Sequence, residues 1–448
     1  MNSNRTFARR DFLKTCAAGG LAAAAFANAQ VAAPDSRKVR LGFIGVGGRG
    51  FGLLNVLLKM PEVRINAVCD VLPANLSRSQ AAVEKAQGNR PEGYGKNEEH
   101  FRELVTRSDL DGVVIATPWE WHVPMAIAAM KASKYAATEV GPANSIEECW
   151  ELIRTYEQTG VPCMLLENYC YHRPEMAVLN MVRQGLFGEL IHCHCGYEHD
   201  LRKRIVEGKG TGVVLKEGGD YRSYHNLTRN GDIYPTHGVG PIATCLDINR
   251  GNRFAFLTST ASKGRGLRDW TLELLGRDHP YAKKEWAMGD IVITVIKCHN
   301  GETIVENHEV TLTRPSPQFP SIGRVQGTRG LWERAGNRIF IEGRSPKERW
   351  EPFEKYQSEF EHPVWRKYRP EGGPLAGHGG TDFLVLRDFV QAVKERGAPP
   401  IDVYDTAALM VIAPLSEQSI ANGSARVDFP DFTRGKWRTN PRIFGVRA

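Results

Sequence analysis

The sequence predicts an α/β fold in two domains, a parallel doubly wound sheet followed by an α+β domain with a mostly antiparallel, open sheet. From Val39 to Leu166, short apolar strands alternate with helical segments, the pattern of βαβ units. After Asn168, strands follow one another with few helices between them, which favours antiparallel pairing. The length of 448 residues also exceeds one ordinary core. We therefore expect domains at residues 38–168 and 169–448.

The first domain is predicted element by element from apolar runs and their boundaries. Strands are expected at Val39–Ile44, Val63–Cys69, Asp111–Thr117, Lys134–Glu139 and Val161–Leu166, and helices at Phe51–Met60, Ser77–Gln87, Pro124–Lys131 and from Ser145 to Gly160. The last helix has the clearest limits. Ser145 followed by Glu148 has the spacing of a capping box, and Gly160 suits a C-terminal cap.

In the second domain, most predicted elements are strands without helices between them. Its predicted elements are a helix at Met176–Gln184, strands at Leu190–Tyr197, Phe254–Ser259, Ile291–Cys298 and Thr303–His308, and closing helices at Asp382–Glu395 and Thr406–Ala421. Asn300-Gly301 between two of these strands is a strong hairpin signal.

The N-terminus has the pattern of an export signal. Arg9-Arg10 and three further residues lead to Lys14, and a small-residue apolar stretch over 15–26 follows. Ala27-Asn28-Ala29 then fits a cleavage site. Residues 1–33 are therefore predicted to be a twin-arginine signal segment, with the mature protein exported to the periplasm. The alternative is an ordinary disordered N-terminus with a chance arginine pair.

Charge and hydropathy argue against two classes of partner. The net charge is +7, and part of that excess lies in the predicted signal segment. No basic run is dense enough to indicate nucleic acid binding. Beyond the N-terminus, no apolar run reaches the roughly 18 residues that a membrane span needs.

His192-Cys193-His194-Cys195 is the one segment whose composition suggests a metal site. On a strand, alternation sends both histidines to one face and both cysteines to the other. Four ligands on two faces cannot surround one ion, so a half-buried strand is expected here and no metal is predicted.

A glycine-rich turn after the first strand predicts a dinucleotide site. Gly45, Gly47 and Gly50 form a G-x-G-x-x-G pattern between an apolar strand and an apolar helix, and Asp70 ends the second strand twenty residues later. These glycines permit a tight turn, approach of the pyrophosphate and packing of the helix on the sheet. Asp70 would bind a ribose diol and repel a 2′-phosphate, which favours NAD. The alternative is a glycine-rich turn of another α/β protein.

Parallel sheets bind ligands at the carboxyl ends of their strands. Those ends carry Thr117-Pro118-Trp119-Glu120-Trp121-His122, Glu139-Val140-Gly141 and Glu167-Asn168. We expect these residues near the nicotinamide, although each segment alone could be an ordinary loop.

The chain also resembles a known family. GVGGRG after the first strand, TPWEWH, EVGPA, LENYCYHRPEMAVLNMVRQGLFGEL, YPTHGVGP, DINRGNR and ASKGRGL are similar to segments of glycoside hydrolase family 109, within the glucose–fructose oxidoreductase-like dehydrogenases. The resemblance runs from about Val39 to Lys436. It implies a Rossmann domain with NAD and hydrolysis of terminal N-acetylgalactosaminides. The implied route is oxidation at C3, deprotonation at C2, elimination at C1, water addition and re-reduction.

The resemblance also implies roles for individual residues. Besides the fingerprint glycines, the implied NAD contacts are Gly48, Arg49, Asp70, Trp119, Glu120, Trp121, His122, Glu139, Val140 and Asn168, and the implied sugar contacts are Tyr197, Arg222, Tyr234, Pro235, Thr236 and His237. Tyr171 and His237 are the candidates for proton transfer, without an assignment of either to C2 or O3. A histidine in the Gly377-His378-Gly379-Gly380 segment could lie beside the substrate or simply belong to a flexible turn.

Two departures from related patterns bear on function. Glu139-Val140-Gly141 stands where related sugar dehydrogenases carry Glu-Lys-Pro, which weakens a dehydrogenase interpretation. Ser316 to Phe319 replaces a sugar-binding tyrosine after Arg314-Pro315, which leaves the sugar and anomer preference open. A net sugar dehydrogenase of the same fold and a non-catalytic sugar or NAD sensor remain the alternatives. A homo-oligomer is also expected to be possible.

Overall fold

The computed structural model describes residues 38–208, 220–315, 321–368 and 377–446. The predicted signal segment, residues 1–33, lies outside these ranges, and so does the divergent segment from Ser316 to Phe319. In the ranges described, no helix combines the length and the apolar character that crossing a bilayer requires.

Six parallel strands form the first sheet, in the order β3-β2-β1-β4-β5-β6. The strands are β1 (Val39–Ile44), β2 (Val63–Cys69), β3 (Glu92–Tyr94), β4 (Gly112–Ile115), β5 (Tyr135–Thr138) and β6 (Cys163–Leu165). The accompanying helices are α1 (Gly48–Leu57), α2 (Pro73–Gln87), α3 (Phe101–Val105), α4 (His122–Lys131) and α5 (Ile146–Thr159). Every residue of β4 is buried, as expected for a strand covered on both faces. The predicted doubly wound parallel sheet is confirmed.

Several elements begin or end a few residues from their predicted bounds; α2, for example, begins at Pro73 rather than Ser77. β4 stops at Ile115 because Ala116, Thr117 and Pro118 leave the sheet and line a cavity. Ser145 accepts a hydrogen bond from the Glu148 amide, which is half of the predicted capping box. The Glu148 carboxylate instead accepts from the Asn144 amide at 2.8 Å. Ser145 is thus the N-cap as predicted, and only the return bond of Glu148 is displaced by one residue, to Asn144.

The second sheet has nine strands in the order β14-β13-β12-β11-β7-β10-β9-β8-β15. They are β7 (Leu190–Glu198), β8 (Phe254–Ala261), β9 (Ile291–Cys298), β10 (Thr303–Glu309), β11 (Ile322–Gly327), β12 (Gly330–Glu333), β13 (Arg338–Ile341), β14 (Glu351–Pro352) and β15 (Val427–Asp428). All neighbouring pairs are antiparallel except β7 with β10. The prediction of a mostly antiparallel sheet is confirmed, and β9 and β10 form the hairpin predicted at Asn300-Gly301.

The remaining helices are α6 (Arg173–Arg183), α7 (Arg202–Glu207), α8 (Tyr221–Thr228), α9 (Thr236–Cys245), α10 (Gly266–Leu274), α11 (Phe353–Glu359), α12 (Pro363–Tyr368), α13 (Thr381–Glu395), α14 (Val403–Met410) and α15 (Ile412–Ala421). Helix α9 packs close to the sheet because it lacks side chains at two points. A Cβ on Gly238 would lie 3.1 Å from the Gly196 nitrogen, and one on Gly240 would lie 2.9 Å from Cγ of Glu167. These glycines let the helix approach β7 and the turn after β6.

The C-terminal helices return to the first sheet. The Leu165 amide donates to the Ile401 carbonyl at 3.3 Å, and the Ala143 amide donates to that of Met410 at 3.2 Å. A Cβ on Gly112 of β4 would meet the Phe389 ring of α13 at 3.3 Å. Residues after 380 therefore complete the covering layer of the N-terminal domain. The helix predicted at Thr406–Ala421 is two helices, α14 and α15.

Candidate active site

One large cavity, of about 1050 Å³, opens at the carboxyl ends of the parallel strands. The glycine-rich turn and Asp70 lie on one side of it, and Tyr197 of β7 lies on the other. Of the predicted site residues, the cavity is lined by Gly45, Gly47, Gly48, Arg49, Asp70, Trp119, Glu120, Trp121, His122, Glu139, Val140, Asn168, Tyr197, Arg222, Tyr234 and His237. Residues from both domains thus meet in one space.

The glycine-rich turn leaves a cradle that side chains would fill. Gly45 has a φ of +81°, and a Cβ there would lie 2.6 Å from the Ala116 oxygen. A Cβ on Gly50 would lie only 1.8 Å from the Gly45 oxygen. Helix α1 has neither a side-chain N-cap nor an acidic residue in its first turn, so its first amides remain available to a phosphate.

Asp70 is held rigidly at the edge of this cradle. Its Oδ2 accepts from the Val46 amide at 2.9 Å, and its Oδ1 accepts from the Leu72 amide at 2.9 Å. The Asn75 amide group also lies near both carboxylate oxygens, at 3.3 and 3.4 Å. The cradle, the free helix terminus and the fixed carboxylate together fit a dinucleotide with an unphosphorylated ribose.

Arg49 joins this turn to the C-terminal part of the chain. Its guanidinium donates to Glu139 at 3.0 Å and to both oxygens of Asp382, at 2.8 and 3.0 Å. Asp382 also accepts from Asn168 at 3.0 Å. Burial by itself would raise the pKa of Asp382, but hydrogen bonds from His378 and Arg49 outweigh burial and hold that pKa well below its usual range. Asp382 is therefore a stable anion at the centre of this network.

His378 lies on the cavity wall beside Arg49. Its Nδ1 is 2.8 Å from Oδ2 of Asp382, and 56% of its side chain is exposed. Because Asp382 binds Nδ1, Nε2 is the ring nitrogen available to a ligand. His378 therefore lies on the cavity wall, next to Arg49 of the glycine-rich turn.

Arg222 of α8 is enclosed by aromatic rings. Its guanidinium carbon lies 4.5 Å from the ring of Trp119, 5.0 Å from that of Tyr234 and 5.6 Å from that of Tyr221. Only 6% of the residue is exposed, and Nε has no hydrogen-bond partner within the described residues. Because no described carboxylate binds this buried cation, its free Nε is suited to an oxygen atom of a ligand.

His237, the second residue of α9, is held in a defined orientation. Its Nδ1 lies 2.7 Å from Oε1 of Glu167, and its Nε2 lies 3.5 Å from the Tyr234 hydroxyl. The ring stacks on Tyr169, with centroids 3.9 Å apart. A histidine with one ring nitrogen on a buried carboxylate and the other near the cavity is equipped for proton transfer.

The structure corrects the placement of Tyr171. Its side chain is buried, its hydroxyl donates to Asp388 at 2.7 Å, and its ring packs on Phe444. Tyr171 does not line the cavity, whereas Tyr169 does. Both belong to a 3-10 helix at Asn168–Tyr171, where residues two positions apart point in different directions. The structure therefore places Tyr171 away from the cavity, which does not support its predicted role in proton transfer.

Two predicted sugar contacts and one predicted cofactor contact also lie behind the cavity wall. Pro235 and Thr236 are buried and do not line the cavity. The Pro235 carbonyl accepts the Val239 amide, so these residues begin α9 and present His237. Gly50 acts through packing of α1, because it too lies outside the lining.

Sequence reasoning missed several residues of the cavity wall. They are Asn75, Tyr169, His199, Arg204, Tyr221 and Tyr224. Arg204, Tyr221 and Tyr224 come from α7 and α8, which no apolar periodicity predicted, and His199 directly follows β7. Tyr169 carried no local signal that separates it from Tyr171. In the segment considered for metal binding, Cys193 and Cys195 are fully buried while His192 and His194 are only partly buried, the alternation predicted for that strand.

Family models match both parts of the chain. Residues 39–167 match an oxidoreductase family with an NAD-binding Rossmann fold, and residues 171–439 match the C-terminal domain of glycosyl hydrolase 109. Among solved structures, levoglucosan dehydrogenase in complex with NADH and levoglucosan is similar, with a TM-score of 0.64 at 18% identity, over 88% of this chain and all of that one. The WlbA dehydrogenase from Bordetella pertussis has a TM-score of 0.58 at 14% identity, over 88% and 98% of the two chains. These likenesses show the fold.

The fold and the cradle define an NAD-binding protein of the Gfo/Idh/MocA type. An alpha-N-acetylgalactosaminidase from Tannerella forsythia is 43% identical over 96% of this chain and 97% of its own length. A glycosyl hydrolase family 109 protein from Stenotrophomonas maltophilia is 44% identical, over 97% and 98%. The chain belongs to glycosyl hydrolase family 109, and it is a glycoside hydrolase with an NAD-binding domain.

Proposed function

We propose that this protein hydrolyses terminal N-acetylgalactosaminides with NAD as a recycled cofactor. One observation carries the proposal: the same cavity is bordered by a dinucleotide cradle, by a carboxylate-bound histidine, and by a buried guanidinium whose Nε has no hydrogen-bond partner within the described residues. Relatives that bear the name alpha-N-acetylgalactosaminidase, from Tannerella forsythia and Shewanella oneidensis, support the substrate class.

The cradle residues would hold the dinucleotide. The first amides of α1 would face the pyrophosphate, Asp70 would accept hydrogen bonds from the adenosine ribose, and the strand ends at Glu139 and Asn168 would border the nicotinamide. When bound, NAD supplies a reversible hydride acceptor for a sugar carbon.

The chain's own side chains would transfer protons to and from the sugar and stabilise the negative charge that develops on it. His237 Nε2 would accept a proton from the sugar, with the hydroxyl of Tyr169 beside it. The guanidinium of Arg222 would donate to a sugar oxygen and stabilise negative charge that develops there. His378 Nε2, with Nδ1 on Asp382, would exchange a proton with the group that leaves C1. These four groups replace the carboxylate pair of ordinary glycoside hydrolysis.

A net sugar dehydrogenase is the competing function. Val140 lines the cavity at the position where the related dehydrogenases carry lysine. Among the described residues, no lysine lines the cavity at all. A plain dehydrogenase would need another base for the oxidised hydroxyl, which favours the glycosidase.

Hydrolysis of aryl hexosaminides in deuterated water tests the proposal. We expect release of the aryl group, deuterium at C2 of the product and no net absorbance change at 340 nm. Accumulation of NADH would instead indicate the dehydrogenase, and hydrolysis without deuterium at C2 would contradict the elimination route.

A pair of tyrosine variants tests the corrected site. Tyr169→Phe removes a hydroxyl from the cavity wall, and turnover should fall by roughly 100-fold or more, the range of general acid–base groups. Tyr171→Phe removes a hydroxyl bound to Asp388 and should lower thermal stability while turnover persists. The reverse pattern would restore Tyr171 to the mechanism.

We also propose export by the twin-arginine route to the periplasm, on the basis of Arg9-Arg10 and the Ala27-Asn28-Ala29 sequence. Replacing both arginines with lysine should retain the full-length chain in the cytoplasm. Export of that variant at the normal rate would contradict the proposal.

We also propose that the protein forms a homo-oligomer. Ile191 of β7 and Ile293 and Val295 of β9 are exposed apolar side chains of the second sheet. Sedimentation would reveal an oligomer. A single monomeric species at micromolar protein concentration would contradict the proposal.

A further inference from the structure

Glu167 is a buried carboxylate behind the cavity wall. It is fully buried, and it is absent from the lining of the cavity. Its Oε1 accepts from the Tyr169 amide at 2.9 Å and binds His237 Nδ1 at 2.7 Å. Its Oε2 has no hydrogen-bond partner within the described residues. Both contacts that hold Glu167 in place therefore lead to groups of the proposed site.

We propose that Glu167 is the positioning residue for His237: it holds the proton on Nδ1, so that Nε2 faces the sugar as the acceptor. This inference rests on the proposed function for its kinetic consequence but not for its geometry. A carboxylate on Nδ1 sets the tautomer and the ring orientation, and it stabilises the imidazolium that forms when Nε2 takes a proton.

Neighbouring residues pack closely around the Glu167–His237 pair. Gly240 of α9 leaves room for Glu167, because a Cβ there would lie 2.9 Å from its Cγ. Tyr169 covers one face of the His237 ring. Close packing of Gly240 on Glu167 and of Tyr169 on the imidazole therefore supports the contact between the two side chains.

The other titratable groups that face His237 do not replace Glu167. They are the hydroxyls of Tyr169, Tyr197 and Tyr234, and the imidazole of His199. Burial, followed by the charges of His237 and nearby arginines, lowers the pKa of His199 to about 4. His199 is therefore neutral near pH 7, and Glu167 is the anion in direct contact with His237.

Glu167→Gln keeps the shape of the side chain and removes its charge. In aryl N-acetylgalactosaminide hydrolysis by the full chain with NAD, we expect kcat to fall by roughly 10- to 100-fold, the size typical of such supporting contacts. KM and the NAD dissociation constant should stay unchanged, because Glu167 does not line the cavity. The pH–rate profile should differ from that of the unsubstituted protein, since Glu167→Gln removes the carboxylate in contact with His237 Nδ1.

Two further variants separate positioning from general damage. Gly240→Ala should shift Glu167 and reproduce the loss in kcat without altering any cavity side chain. Glu361→Gln is the matched control, because Glu361 is also a buried carboxylate but pairs with Arg173. It should leave the pH–rate profile in place. A Glu167→Gln profile that superimposes on that of the unsubstituted protein would overturn the proposal.

A readout that needs no turnover keeps this inference distinct from the proposed function. With ¹⁵N-labelled histidine, His237 should show a protonated Nδ1 and an unprotonated Nε2 near neutral pH, and Glu167→Ala should shift the tautomer towards Nε2–H. If no hexosaminide is hydrolysed but these shifts hold, the function fails and the positioning role stands. An unprotonated Nδ1 in the unsubstituted protein would refute the positioning role.

Discussion

The sharpest prediction from this structure concerns a methyl group added to Gly50. This glycine lies in the first turn of α1, directly against the turn that begins at Gly45. A Cβ at Gly50 would lie 1.8 Å from the Gly45 oxygen and 3.2 Å from the Phe43 ring. The nearest obstacle is backbone, so no side-chain rotation relieves it. Gly50→Ala must therefore push α1 away from the glycine-rich turn.

The cost follows from the size of this clash. Ordinary contact begins near 3.4 Å, so the helix must move by more than an ångström and its first amides move with it. Overpacking of this kind costs roughly 1–3 kcal/mol. If this cost raises the free energy of the NAD-bound protein relative to the free protein, the NAD dissociation constant rises by roughly 5- to 150-fold.

Titration of NAD by fluorescence, with thermal unfolding as a second measurement, checks the expected loss. At 100 times the dissociation constant, a ligand stabilises a protein by about 2.7 kcal/mol, and a 100-fold weaker site retains only about 0.4 kcal/mol at the same concentration. Gly52→Ala is the matched control in the same helix, because a Cβ there meets nothing within 4 Å. It should stabilise α1 by about 0.5–1 kcal/mol and leave affinity unchanged. Equal NAD affinity in the two variants would refute the reasoning.

Three other variants probe the charged groups. Arg222→Met should lower kcat/KM roughly 10- to 100-fold by removing a charged hydrogen bond to substrate; an unchanged kcat/KM would contradict this. Burial first, then Asp232, raises the pKa of Glu306 well above its usual range. The stability that protonated Glu306 gives the folded protein is complete below the pKa of this group in the unfolded chain. It is lost as the pH rises through the pKa of Glu306 in the folded chain. Glu306→Gln should thus flatten the fall of Tm with pH above about pH 5, and an unchanged slope would refute it. Asp70→Ser should weaken NAD binding and narrow its preference over NADP, as isothermal titration would show; unchanged selectivity would contradict the role of Asp70.

Local patterns were enough for the cradle and for five of the six strands of the first sheet, but they did not predict the short β3. Strand and helix alternation depends on which residues are apolar along a short stretch, and β1, β2 and the glycine-rich turn appear in that alternation directly. Asp70 ends a strand that the sequence marks by its apolar run, so its place beside the turn follows from the order of parallel strands.

By itself, then, the sequence determined the doubly wound sheet, the position of the dinucleotide cradle and the family. Only the tertiary structure decided which tyrosine faces the cavity, because Tyr169 and Tyr171 differ only in direction around a single 3-10 turn. It also brought Glu167 to His237 and Asp382 to Arg49, pairs separated by 70 and 333 positions along the chain. Such contacts depend on how helices α9 and α13 pack against the first domain, and no local periodicity encodes that packing.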